Sequence, residues 1–149
     1  MTTATHTARL DKLAEVAVRV GLGLVPGQEL VVTAPLQAVP LVRRIVEHAY
    51  RAGASLVTTL YTDEEATLAR FAHAPNAAFD KAAGWLYEGM AKAYTGGAAR
   101  LAVSGADPNL LAGQDPGKVA RANRSMSAAS KPAMEPIVNF ETNWTIVSY

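Results

Sequence analysis

The sequence predicts a doubly wound α/β domain, and three observations in one continuous stretch carry that prediction. Residues 28–34 form a short β-branched run introduced by the turn dipeptide Pro26-Gly27. Residues 39–52 then switch to helical spacing. Leu41, Val42, Ile45, Val46, Ala49 and Tyr50 share an apolar face, with Arg43, Arg44, Glu47 and His48 on the other. Residues 54–61 make a second strand-like run. Two strands joined by a crossover helix of this length pair in parallel with a right-handed connection. Helices then cover both faces of the sheet. The expectation is a three-layer, Rossmann-like αβα domain with about four mainly parallel strands.

The remaining elements follow in chain order. Leu10, Leu13, Ala14, Ala17, Val20 and Gly21 share one face of a first helix over residues 7–22, with Thr7 as its cap. Pro40 suits the first turn of the crossover helix, where its missing N–H costs nothing, and Gly53 suits the left-handed position that closes it. After Asp63, Glu64 and Glu65, residues 66–73 read as a short helix stopped near Pro75. Residues 76–96 read as a longer alanine-rich helix, with Phe79, Ala83, Leu86, Tyr87, Met90 and Tyr94 at core spacing and Gly84 and Gly89 interrupting it. Residues 99–104 are strand three, and residues 109–113 look like one helical turn and a break. Asp115-Pro116 opens a last helix reaching residue 129 or beyond, which Pro132 and Pro136 interrupt or end. Residues 143–149 are a strong aromatic and β-branched strand. A chain stopping inside such a strand points to the N-terminal piece of a longer protein.

At 149 residues the chain is one domain's worth, so residues 1–149 are taken as a single α/β domain. Half the residues are hydrophobic, 18% are charged and the formal net charge is +1, which argues against nucleic acid or an anionic membrane as the main partner. The absence of cysteine excludes a disulfide framework, a thiol nucleophile and a thiolate zinc site. The first nine residues lack the apolar core of a signal peptide, and no later run reaches the length of a membrane span. A soluble cytoplasmic protein is the expectation.

The chain offers little chemistry of its own. The turn after strand one, Thr33-Ala34-Pro35-Leu36-Gln37, has no glycine, so a dinucleotide pyrophosphate lacks its usual seat; Gly21 and Gly23 precede the strand. His6, His48 and His73 are scattered and read as surface residues, without the three or four convergent ligands a metal needs. Lys118, Arg121 and Arg124 read as a solvated basic helix face. Tyr50, Trp85, Tyr87, Tyr94 and Trp144 read as core or interface residues rather than base-stacking platforms. Open α/β sheets bind ligands outside the carboxyl ends of their strands. Asp63, Ser104, Gly105 and Asp107 fall there, and are the candidate ligand-facing residues. Ordinary capping at a helix start competes as the explanation of the acidic run at 63–65. No catalytic and no metal-binding residue is assigned.

Four stretches taken together resemble a known family. Leu10-Asp11-Lys12-Leu13-Ala14 with residues 18–28 looks like its opening helix and entry into strand one. Residues 42–54 are similar to its crossover, and Tyr61-Thr62-Asp63 to the exit of strand two. Residues 101–111 look like its segment after strand three, and residues 143–149 its last strand here. The family is that of aminopeptidase T, the thermophilic metalloproteases. The resemblance implies a two-domain, dimeric enzyme that removes N-terminal amino acids from peptides with two divalent metal ions, zinc or cobalt. Its metal ligands belong to the C-terminal domain, so no cofactor is expected in this chain. This piece would then be a scaffold and cap that packs on the missing metal domain and walls the peptide cavity. A stand-alone α/β module binding a small ligand or peptide is the alternative.

Overall fold

The computed structural model describes residues 3–149, and side chains from residue 5 onward. Its centre is a four-stranded sheet in the order β2-β1-β3-β4, with β1 at Glu29–Pro35, β2 at Leu56–Thr62, β3 at Ala99–Ser104 and β4 at Trp144–Ser148. Every pairing is parallel: Val31 lies opposite Thr58 on one side and Arg100 on the other, and Leu101 lies opposite Thr145. β1 is buried almost throughout because it has a strand on each side and a helix layer on each face. Edge strands β2 and β4 alternate between half-buried and exposed.

One face is covered by α1 (Thr3–Val16) and α2 (Val39–Arg51), and Val18, Leu41 and Ile45 meet Leu30, Val32 and Leu101 there. Of the predicted apolar stripe of the crossover helix, Leu41, Val42, Ile45 and Ala49 are buried, whereas Tyr50 is 47% exposed. Gly53 adopts φ 95° beyond its end, and a Cβ there would lie 3.0 Å from Pro26. Only glycine meets both conditions. Thr7 is not the cap expected of it: α1 begins at Thr3, and Thr7 lies a turn inside. The helix continues as a π-helical segment, Ala17–Leu22, closed by left-handed Gly23. Gly21 lets that segment approach β4, since a Cβ would sit 2.9 Å from Thr145 Oγ1.

The other face is covered by α4 (Gly84–Thr95) and α5 (Pro116–Val138), which bury Val31, Tyr94, Ala98, Ala133 and Ile137. Two expectations are corrected here. The single helix over residues 76–96 is instead a 3₁₀ turn, Asn76–Asp80, then a break and α4, which begins at Gly84. Arg70 fixes the break by donating from Nη2 to the carbonyls of Ala78 and Lys81, both at 2.8 Å. Pro132 and Pro136, expected to interrupt or end the last helix, lie inside α5. Each removes one helical hydrogen bond. Burial of Ala133, Pro136 and Ile137 keeps the helix going beyond them. Residues 109–113 form successive turns rather than a helical one.

At the amino ends of the strands the chain is stitched by a reciprocal amide pair. Gln28 Nε2 donates to Asn143 Oδ1 at 2.6 Å and to the Gly97 carbonyl at 2.8 Å, while Asn143 Nδ2 donates to the Leu22 carbonyl at 3.0 Å. The end of the π-helical segment and the entries to β1, β3 and β4 are thereby held together.

Candidate functional site

The carboxyl ends of the strands are the open end of the molecule. The strand order reverses between β1 and β3, and a crevice forms where the connections leave in opposite directions. A cleft of about 350 Å³ occupies it, lined by Thr33, Ala34 and Pro35 of β1, Thr62 of β2, the end of β3 at Val103 and Ser104, and Gly105 and Ala106 just beyond.

Two of the four sequence-selected residues line this cleft. Ser104 Oγ lies 3.0 Å from Ser148 Oγ, so it is engaged across the β3–β4 pair. Gly105 has φ 156°, and a Cβ there would come within 2.9 Å of the Tyr149 carbonyl oxygen, so the exits of β3 and β4 pass close to one another. Asp63 and Asp107 lie beside the cleft and act locally. Asp63 Oδ1 accepts from the Glu65 amide at 2.9 Å and caps α3 (Glu64–His73), while Asp107 Oδ1 accepts from the Asn109 amide at 2.9 Å. The helix-capping explanation accounts for Asp63.

The residue that links these loops is Glu64. Its Oε1 accepts from the Asp107 amide at 2.7 Å and its Oε2 from Gln37 Nε2 at 2.9 Å. One carboxylate thus ties the turns after β1, β2 and β3. The sequence carried a partial signal, an acidic run after a strand and a glutamine in the β1–α2 turn, but the pairing needs the fold.

Elsewhere two readings change. His48 is buried rather than on the surface, at 6% exposure, with Nε2 3.1 Å from Asp11 Oδ1 and Nδ1 without a partner. It follows the polar spacing of α2, but α1 packs over that flank. Arg121 is engaged on its helix face rather than simply solvated: it donates to Asn76 Oδ1 at 2.8 Å and forms a two-pronged pair with Asp80. That hydrogen bond holds the Asp80 carboxyl below its ordinary range, and the Arg121 guanidinium is raised in turn. Lys118 lies 5.2 Å from the centre of the Phe79 ring. Of the aromatic residues, Tyr94 is core, whereas Trp85 is 75% exposed.

Among the described residues no three histidine, aspartate or glutamate side chains gather as a metal centre would require. The donors among the described residues do not by themselves fit a two-metal site. None of the described helices is long and apolar enough to cross a membrane.

Comparison with known proteins places this fold. The chain is 56% identical to aminopeptidase T of Thermus thermophilus over 140 residues, covering 94% of this chain and 34% of the relative. It is 54% identical to aminopeptidase T of Thermus aquaticus over 143 residues, 96% of this chain and 35% of the relative. Aminopeptidase 2 of Geobacillus stearothermophilus is 39% identical over 139 residues, with 93% and 34% covered. The solved structure of wild-type AmpT from Thermus thermophilus superposes with a TM-score of 0.92 at 56% identity, over 95% of this chain and 36% of that one. The chain therefore spans about a third of the length of the relatives it matches, and corresponds to their N-terminal part. Residues 6–149 match the thermophilic metalloprotease (M29) family, and the chain belongs to that family.

Proposed function

We propose that this chain is the N-terminal, non-catalytic domain of a two-domain, metal-dependent aminopeptidase that removes N-terminal amino acids from peptides. The observation that carries the reading is the match along residues 6–149 to aminopeptidases about three times as long. In this reading the catalytic domain lies in the remaining two thirds and holds two divalent ions, zinc or cobalt, that activate a water. The parent is a cytoplasmic homodimer acting on peptide substrates. This piece is scaffold and cap, with the cleft by Asp63, Ser104, Gly105 and Asp107 walling the peptide cavity.

A surface feature supports the scaffold role. Phe140 is the one non-glycine residue among the described residues with positive φ, at 56°, and it stands 79% exposed. Its ring lies 6.5 Å from that of Trp144, and Ile146 is exposed two residues further on. An apolar strip displayed on strained backbone at an edge strand suits burial by the rest of the polypeptide.

The test assays this chain and the product of its full reading frame for release of leucine from a leucyl-p-nitroanilide substrate, with zinc or cobalt and with a chelator. Cleavage by the longer product alone, stopped by the chelator, is the expected result. Metal-dependent cleavage by the 149-residue chain would overturn its non-catalytic role. Activity in neither would move the cleft to the front, as the site of a small-ligand or peptide-binding module.

A further inference from the structure

Beneath α4 and α5 lies a cavity of about 260 Å³ that adjoins the strand-end cleft at Thr33 and Thr62. Its walls are largely apolar, with Leu60 from β2, Met90 from α4 and Met134 from α5. Among the polar residues that also line it, Tyr94 and Arg100 stand apart from the threonine and serine hydroxyls. Tyr94 is 1% exposed, and its hydroxyl is buried without a hydrogen-bond partner. Arg100 is half-buried on β3, and among the described residues no carboxylate lies within ion-pair distance of it. No acidic side chain lines the cavity.

A buried hydroxyl without a partner is a cost that a phenylalanine would avoid, and a half-buried cation without a counter-ion adds to it. Burial pushes the Tyr94 phenol up, and nearby Arg100 pulls it partly back through its positive charge and the donor groups of its guanidinium, so the two groups lie close together. A carboxylate set between them would accept from both, and guanidinium with carboxylate is the stronger of such pairs. The volume corresponds to about nine waters, which limits a ligand to roughly eight or nine heavy atoms. With no acid in the walls, an ammonium group has no charged partner, and a zwitterionic amino acid is disfavoured relative to a simple acid.

We propose that this cavity binds a small hydrophobic monocarboxylate, its carboxylate held by Arg100 and the Tyr94 hydroxyl and its hydrocarbon packed among Leu60, Met90 and Met134. The site needs no peptidase activity, so its fate is separable from that of the aminopeptidase reading. The test titrates 4-methylpentanoate calorimetrically into the 149-residue chain and into the product of the full reading frame, with 4-methylpentanamide and leucine as comparators. Saturable binding to both proteins is expected, with a Kd of about 1 mM or tighter. The amide and leucine should each bind about tenfold or more weakly, and Arg100→Gln should cost about tenfold in carboxylate affinity. Tyr94→Phe should weaken binding while preserving the fold. Should Arg100→Gln fail to fold, the amide comparison on the unaltered protein asks the same question. Equal binding of amide and acid, no saturation by about 10 mM, or binding by the short chain alone would each overturn the proposal. Leucine binding as tightly as the simple acid would overturn the choice of ligand class.

Discussion

The two faces of the sheet are built differently. Against α1 and α2 the core is one aliphatic cluster in which Val18, Leu30, Val32, Leu41, Ile45 and Leu101 are fully enclosed. Against α4 and α5 the buried cluster is smaller, and a cavity with Tyr94 and Arg100 in its walls lies beside it. The first face is packed the way stability requires. On the second, packing gives way to a space with unsatisfied polar groups, which is where binding is to be sought. A single sheet therefore separates the two tasks, because strand side chains alternate between faces and each helix layer answers to only one of them.

Truncation on the packed face gives the largest expected effect. Leu101→Ala or Ile45→Ala should lower stability by about 2–5 kcal/mol in urea unfolding, whereas exposed Met134 replaced by alanine on the other face should cost under about 1 kcal/mol. Equal losses would break the contrast. Next comes Gly53→Ala at the close of the crossover, expected to cost about 1–3 kcal/mol through its positive φ and its contact with Pro26. Preserved stability in thermal unfolding would mean that the turn relaxes more easily than its geometry implies.

On the cavity side the sign reverses. Tyr94→Phe removes a buried hydroxyl without a partner and should leave stability unchanged or raise it, by up to about 1 kcal/mol. Because the native phenol is raised by burial, its protonated form is favoured by folding. That contribution is complete below the unfolded value near 10 and is lost as pH rises through the native value. Denaturant midpoints measured across that alkaline range should fall for the unaltered chain and fall less for the phenylalanine variant. The smallest effect is expected at the rim, where Arg121 reaches Asp80 at a largely exposed site. The Asp80 carboxyl is lowered, so the pair stabilises above the ordinary aspartate range and its contribution is lost as pH falls through the native value. Arg121→Gln should weaken the acid limb of the pH–stability profile slightly, and a large change there would assign the pair a structural weight that its exposure does not suggest.

What was legible in the sequence was whatever depended on near neighbours. The β1–α2–β2 unit, the Gly53 closure and the Asp115-Pro116 helix start each rest on local spacing or on one residue's backbone preference, and all stand in the structure. Asp63 as a possible cap was legible for the same reason, since its partner lies two residues away. Part of the candidate cleft was legible too, because Ser104 and Gly105 end a strand, and strand ends of parallel sheets face the same way.

The rest was decided between segments far apart in the chain. The order of strands placed the crevice between β1 and β3, and Glu64 became a link only once Gln37 and Asp107 were folded beside it. His48 was buried by a helix that precedes it by more than two strands' length of chain, and Arg121 found its partner in the turn before α4. Pro132 and Pro136 remained helical because burying their neighbours outweighed the lost hydrogen bonds, a balance no local window contains. Sequence alone determined the units and their preferred ends. The tertiary structure determined which units meet, because burial and pairing energies belong to contacts between segments rather than to any segment by itself.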